Sequence, residues 1–183
     1  MTGLQDRKRM AIELFLDSLL PSPFLPGQGT LLDVGSGAGF PGLPLKIHCP
    51  RRETFLLEPN SKRVSFLRQV VRLVKLRGVQ AVKSRIELIP RETLYDMVTA
   101  RAFAEFGETL ERCAPLVSQG GHLVVYLGAH AEETLKKSER LVADHHLRFS
   151  RRISYCLPGK RSERHTVIFE RDRECVLRND RLC

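Results

Sequence analysis

Two carboxylates and a run of glycines carry the first chemistry in this sequence. The apolar run Thr30-Leu31-Leu32-Asp33-Val34 opens into Gly35-Ser36-Gly37-Ala38-Gly39-Phe40-Pro41-Gly42, and a second run, Thr54-Phe55-Leu56-Leu57, ends in Glu58. Glycines at the mouth of a buried strand let the backbone turn tightly and approach a bound nucleoside. Counted from Gly37, the string matches the dinucleotide fingerprint G-x-G-x-x-G, but the match is poor. Asp33 stands inside the strand, where such folds place an apolar residue, and Pro41 lacks the N–H that a pyrophosphate-binding helix start should offer. Counted instead as Asp-x-Gly-x-Gly-x-Gly, the loop suits a ligand that carries positive charge and no phosphate, because a carboxylate nearby attracts a cation. Glu58 stands where an acid accepts hydrogen bonds from both hydroxyls of a ribose. Each acid has a blander alternative: Asp33 as a brace bonded to the N–H groups of its own loop, and Glu58 as a helix-capping acid.

S-adenosyl-L-methionine has the matching chemistry, with an ammonium, a sulfonium and a ribose but no phosphate. On that reading Asp33, Gly35, Ser36, Gly37 and Glu58 are the cofactor-binding candidates of the first two strands.

The elements that must position them follow from hydrophobic patterning. Strands are expected at 30–34, 54–58, 79–82, 95–99 and 122–127, and helices at 43–48, 61–77, 108–117 and 131–145. Ser61 caps the second of these helices and Gly78 stops it. Residues 149–157 and 164–170, joined by Pro158-Gly159-Lys160-Arg161-Ser162, form a closing hairpin. Residues 5–20 form one amphipathic helix with Met10, Ile12, Phe15, Leu16 and Leu19 on its apolar face. The fold expected is an α/β, Rossmann-like, doubly wound and mostly parallel seven-stranded sheet with a C-terminal antiparallel hairpin. It forms a single domain over 1–183, with an N-terminal helix and linker in 1–29 and the catalytic sheet and helices in 30–183.

Composition narrows the classes. With 183 residues, 42% hydrophobic and 28% charged, the chain is one ordinary globular domain, neither disordered nor fibrous. No apolar run reaches the roughly 20 residues that span a bilayer, and no secretory leader is apparent, so a cytoplasmic protein is expected. The five cysteines (Cys49, Cys113, Cys156, Cys175, Cys183) are scattered and never form C-x-x-C, and the six histidines show no ligand spacing. Neither a disulfide framework nor a metal centre is expected. Thirty Lys and Arg against 21 Asp and Glu leave a net charge of +9, which favours a polyanionic partner, nucleic acid first. The last dozen residues are charged and expected to fray.

Asp33-Val34-Gly35-Ser36-Gly37-Ala38-Gly39-Phe40-Pro41-Gly42, Asn60-Ser61-Lys62-Arg63-Val64-Ser65-Phe66-Leu67 and Tyr95-Asp96-Met97-Val98-Thr99-Ala100-Arg101-Ala102 together resemble the GidB (RsmG) methyltransferases. The resemblance runs from Leu16-Asp17-Ser18-Leu19 to Arg164-His165-Thr166-Val167. It implies a class I methyltransferase sheet and S-adenosylmethionine-dependent methylation of guanine N7 in small-subunit (16S) ribosomal RNA of bacteria. It also implies cofactor contacts at Gly35 and Phe40, the adenine against Ile86 and Glu87, and Arg101 at the methyl-transfer end. The chain departs from the family at Leu14, where a histidine is usual, and at Leu127, where a lysine is common.

The segment Ala100-Arg101-Ala102-Phe103 agrees with that chemistry. It lacks the Asn/Asp and double proline of exocyclic-amine enzymes, and no cysteine is placed for pyrimidine C5 attack. Guanine N7 needs neither, because its lone pair carries no proton and only alignment and exclusion of water are required. Arg101 is the catalytic candidate, through guanine O6 or a phosphate; its alternative is an ion pair bracing the pocket. Residues 62–85 carry eight cations and no acid, so Lys62, Arg63, Arg68, Arg72 and Lys75 are candidates for RNA contact, with Val64, Leu67, Val71 and Val74 facing the sheet. Arg161 and Arg164 belong to a second basic cluster near the C-terminus. Small-subunit ribosomal RNA is the expected partner and a monomer the expected state. The rivals are a non-catalytic RNA-binding module and a methyltransferase of the same fold acting on a small molecule.

Overall fold

The computed structural model describes residues 6–173. The expected fraying of the last dozen residues, and Cys175 and Cys183, lie outside or largely outside that range. Strands β1 (Thr30–Val34), β2 (Glu53–Leu57), β3 (Val79–Val82), β4 (Tyr95–Arg101), β5 (Val117–Leu127), β6 (Leu147–Cys156) and β7 (Glu163–Arg171) form one sheet in the order β3-β2-β1-β4-β5-β7-β6. β1, β2, β3, β4 and β5 pair in parallel; β7 inserts antiparallel between β5 and β6. The chain winds outward from β1 in both directions, so the carboxyl ends of β1 and β4 flank the switch point where such sheets open a ligand crevice.

Side-chain alternation divides the core between two faces. Leu32 and Val34 pack with Val98, Leu123 and Phe169 beneath α5 (Phe106–Cys113). Leu31 points the other way, with Met97 and Tyr126, onto Leu45 of α3 (Gly42–His48). Val64 and Leu67 of α4 (Ser61–Leu73) cover Leu56 and Ala81.

Several boundaries differ from expectation for local reasons. α4 ends at Leu73 rather than near 77, because Lys75 turns left-handed (φ 54°) and Leu76 N–H closes onto the Val71 carbonyl. Val74, expected to face the sheet, is therefore exposed. β5 begins at Val117, running through Gly120 and Gly121 with a register shift against β4 instead of starting after them. The helix expected over 131–145 breaks at Ser138 into α6 (Ala131–Lys137) and α7 (Glu139–Asp144).

The N-terminal helical segment carries the largest difference. α1 (Arg7–Met10), a π-helical stretch (Ala11–Leu16) and α2 (Asp17–Leu19) are continuous. The wider π turn shifts the phase of the pattern, so Leu14, Asp17 and Ser18 are buried while Phe15 is 43% exposed. Two polar residues, Asp17 and Ser18, and not the expected apolar stripe, are what this segment buries deepest.

Candidate active site

Two cavities open at the carboxyl ends of the strands and share Phe103. The smaller, about 170 Å3, is walled by Val34, Gly35, Leu57, Pro59, Ile86 and Phe103, with Ser84, Arg85, Glu87 and Arg112 at its polar side. The larger, about 410 Å3, runs from Arg101 and Phe103 past Phe106, Tyr126 and Leu127 to Tyr155, Glu163 and Arg164, with Asp17 in its wall.

Gly35 adopts φ +67°, and a Cβ there would lie 3.1 Å from the ring of Phe103. The backbone at this point is therefore pressed against the wall of the smaller cavity in a conformation that L side chains resist. Gly37 is also left-handed, and its N–H donates to Glu58 at 3.0 Å.

Five candidates line neither cavity: Asp33, Ser36, Gly37, Phe40 and Glu58. Asp33 is fully buried because strand alternation turns it, with Leu31, toward α3. Its Oδ2 accepts from the Gly42 N–H (3.1 Å) and its Oδ1 from the Thr99 hydroxyl (2.8 Å). Burial pushes its pKa from 3.8 up to about 6, against the opposing effect of those bonds. It is the loop brace of the alternative reading, not a group beside the cofactor's charged end. Ser36 is likewise buried, its hydroxyl donating to the Asp33 carbonyl. Glu58 is 2% exposed, and its two oxygens accept from the N–H groups of Gly37 and Asn60, both at 3.0 Å, with the Arg63 guanidinium 3.6 Å away. It ties the loop after β1 to the start of α4, in place of the expected direct hold on a ribose.

Gly35, Ile86 and Glu87 do come together around the smaller cavity. Glu87 pairs with Arg112, which also holds Glu108 at 2.6 Å. Arg101 ends β4 in the larger cavity, its guanidinium 5.6 Å from the centre of the Phe40 ring, and Phe15 packs edge-on against the same ring at 4.9 Å. Arg101 is also ion-paired: its Nη1 lies 3.2 Å from Asp17 Oδ2, and the Nη1 of Arg164 lies 2.9 Å from the same oxygen. The Tyr155 hydroxyl donates to Asp17 Oδ1 (3.0 Å), and that of Tyr126 to the Ser18 carbonyl (3.1 Å). The pKa values of Tyr126 and Tyr155 are pushed upward, chiefly by burial. Both therefore stay protonated donors at neutral pH.

Sequence reasoning missed Asp17, Tyr126, Tyr155 and Arg112. A signal existed for Asp17, an acid inside the apolar run Leu14-Phe15-Leu16-Asp17-Ser18-Leu19-Leu20. An acid so placed is buried only with partners.

On α4 and just beyond it, Lys62, Arg63, Arg72 and Lys75 are exposed, while Arg68 donates to the Ala81 carbonyl at 3.3 Å. Arg161 is exposed, whereas Arg164 is half-buried on Asp17. Among the described residues no helix is long and apolar enough to cross a membrane. Of the cysteines described, Cys113 is buried, Cys49 half-buried and Cys156 exposed, so only the first is a core filler.

The donor set around the smaller cavity fits an adenosine. Its apolar walls suit a flat heterocycle, the carboxylate of Glu87 can accept from an amine, and the bare backbone at Gly35 leaves room that a side chain would fill.

Comparison with known proteins gives a consistent result. The model of the GidB family, described as rRNA small subunit methyltransferase G, matches residues 1–164. Over 173 residues the chain is 37% identical to the Ribosomal RNA small subunit methyltransferase G of Aeromonas salmonicida, covering 93% of this chain and 79% of that protein. Over 136 residues it is 38% identical to the protein of that name from Klebsiella pneumoniae subsp. pneumoniae, covering 74% and 65%. Among solved structures, a methyltransferase from Pyrococcus furiosus superposes with a TM-score of 0.68 at 17% identity, covering 84% of this chain and 80% of that one. TYW2 of M. jannaschii, in complex with AdoMet, gives a TM-score of 0.68 at 12% identity, covering 92% and 77%.

Proposed function

Since the chain belongs to the GidB family, rRNA small subunit methyltransferase G, we propose that it methylates N7 of a guanine in small-subunit (16S) ribosomal RNA using S-adenosylmethionine. Its sheet is that of the class I methyltransferases. The observation that carries the reading is the family match over 1–164, which spans the glycine loop and both cavities.

The cofactor, when bound, supplies a methyl group on a sulfonium, an electrophile that an unprotonated ring nitrogen can attack. The residues of the chain have the remaining tasks. Ile86, Leu57 and Phe103 offer an apolar slot for the adenine, with Glu87 at its edge. Asp33 and Glu58 act at one remove, fixing the loop at Gly42 and Gly37. Arg101 presents guanidinium donors to the base or its phosphate at the inner end of the larger cavity. Phe103 and Phe106 exclude water there. N7 releases no proton, and the lining matches that need: Tyr126 and Tyr155 hold their protons and Asp17 is engaged by two guanidiniums. The exposed cations of α4 serve as the RNA-contacting face, Arg161 adds a second contact, and the work takes place in the cytoplasm as a monomer.

The test is methylation of small-subunit particles and of naked RNA with methyl-labelled S-adenosylmethionine, followed by chain cleavage at 7-methylguanine. Label at one guanine N7 is expected, and Arg101→Ala should lower it far more than it lowers RNA binding. Label on a small molecule or on another base atom would overturn the reading.

A further inference from the structure

Asp17 sits at the meeting point of four strands, although it belongs to none of them. One of its oxygens receives both Arg101 of β4 and Arg164 of β7, and the other receives Tyr155 of β6; the Tyr126 hydroxyl of β5 holds the next carbonyl. With 1% exposure, Asp17 cannot itself reach a substrate. The two guanidiniums can, because both line the larger cavity.

Building on the methyltransferase reading above, we infer that Asp17 is a positioning residue: it holds Arg101 and Arg164 side by side so that their remaining donors form one fixed clamp for a phosphodiester of the substrate RNA. Two like charges that share a single oxygen lie within a few ångströms of each other, an arrangement that repulsion opposes and the carboxylate offsets. Each guanidinium has five N–H donors in a rigid plane. Each gives one to Asp17, so the others keep a direction set by that bond. The Phe40 ring limits Arg101 from a second side. Tyr155 fixes the plane of the carboxylate through its other oxygen. A paired fork of this kind matches the oxygens of a phosphodiester. Its anchor is the N-terminal segment, which thereby becomes part of the reaction centre and not merely a cover for the sheet.

The test compares wild type, Asp17→Asn, Arg101→Ala and the double variant, each with bound S-adenosylmethionine, in single-turnover methylation at saturating RNA. Asp17→Asn should keep cofactor affinity and lower the rate on the order of 10²-fold, the scale of a group misplaced by about 1 Å. In the Arg101→Ala background the same change should cost much less than in wild type, because one of the two guanidiniums it positions is gone and the clamp is already broken. A folded Asp17→Asn protein with the wild-type rate, or an equal loss in both backgrounds, would overturn the inference. Should Asp17→Asn fail to fold, nitrogen NMR of the wild-type arginines decides. Slowed rotation of the Arg101 and Arg164 guanidiniums is expected, and free rotation of either would sink the clamp. That measurement needs no substrate, so it stands even if the wild type puts no methyl on guanine N7, in which case the functional reading is what falls.

Discussion

A carboxylate sealed beneath the glycine loop makes stability depend on pH in the direction opposite to a salt-bridged acid. Burial places Asp33 at about 6 against the ordinary 3.8, so between those values the folded chain binds a proton that the unfolded chain releases. Its favourable contribution is complete below about 3.8 and is lost as pH rises through about 6. The gap corresponds to roughly 3 kcal/mol. Asp33→Asn cannot titrate, so the stability of wild type relative to this variant should fall by up to that amount between pH 4 and pH 7, as read by urea unfolding at each pH. A difference that stays flat would show that Asp33 does not titrate in this window. Arg52 offers a second test. It is 1% exposed, and Nε, Nη1 and Nη2 have no partner among the described residues. Replacing a buried, unpaired charge by an apolar chain of similar volume removes its desolvation cost, so Arg52→Met should stabilise by about 1–4 kcal/mol. Thermal unfolding checks this, and a lowered midpoint would mean that the guanidinium is satisfied in solution. At this scale the sequence revealed which residues matter better than what they touch. Gly35, Ile86, Glu87 and Arg101 reach the cavities as their motifs imply. Asp33 and Glu58 stand in the expected positions but face inward, because the side of a strand that a residue occupies is decided by the packing of α3 and α4.

At the scale of elements, the loop between β1 and α3 was legible and the N-terminal helix was not. Alternating strands and amphipathic helices follow simple periodicities, and the glycine loop can only be a tight turn. A π-helical stretch leaves no comparable mark, so the face presented by residues 11–16 cannot be read from a 3.6-residue period. Nor does a lysine announce that it will end a helix in the left-handed region, as Lys75 does. The loop supports a direct prediction. At Gly35 (φ +67°) a valine meets both the left-handed backbone, which costs an L residue about 1–2 kcal/mol, and the Phe103 ring beside it. Gly35→Val should therefore lose S-adenosylmethionine binding in calorimetry while thermal unfolding still shows a cooperative, somewhat weaker fold. Wild-type affinity in that folded variant would remove the loop from the cofactor site.

At the scale of the whole molecule, with its net charge of +9, two basic regions differ in how their cations are held. Near the C-terminal hairpin most cations are already engaged: Arg148 with Glu170, Arg152 with Glu132, Lys160 with Glu13 and Arg164 with Asp17. On and just after α4, Lys62, Arg72 and Lys75 are exposed and lie outside the ion pairs found among the described residues. A cation without a partner can neutralise a phosphate without first breaking an ion pair, so the α4 face should supply most of the nonspecific attraction for RNA. Changing Lys62, Arg72 and Lys75 together to Gln should weaken RNA binding alike across sequences, because phosphate contacts carry no base information. The dependence of log affinity on log salt should flatten by about 0.7 for each phosphate of single-stranded RNA that is no longer neutralised. Cofactor affinity should stay unchanged, since Val64 and Leu67, on the opposite side of α4, are what pack on the sheet. The measurement is RNA binding at several salt concentrations beside cofactor titration. If the slope of the triple variant equals that of wild type, the α4 face is only solvated, and the RNA must enter over Arg161 and the hairpin, exchanging existing ion pairs for phosphates as it docks.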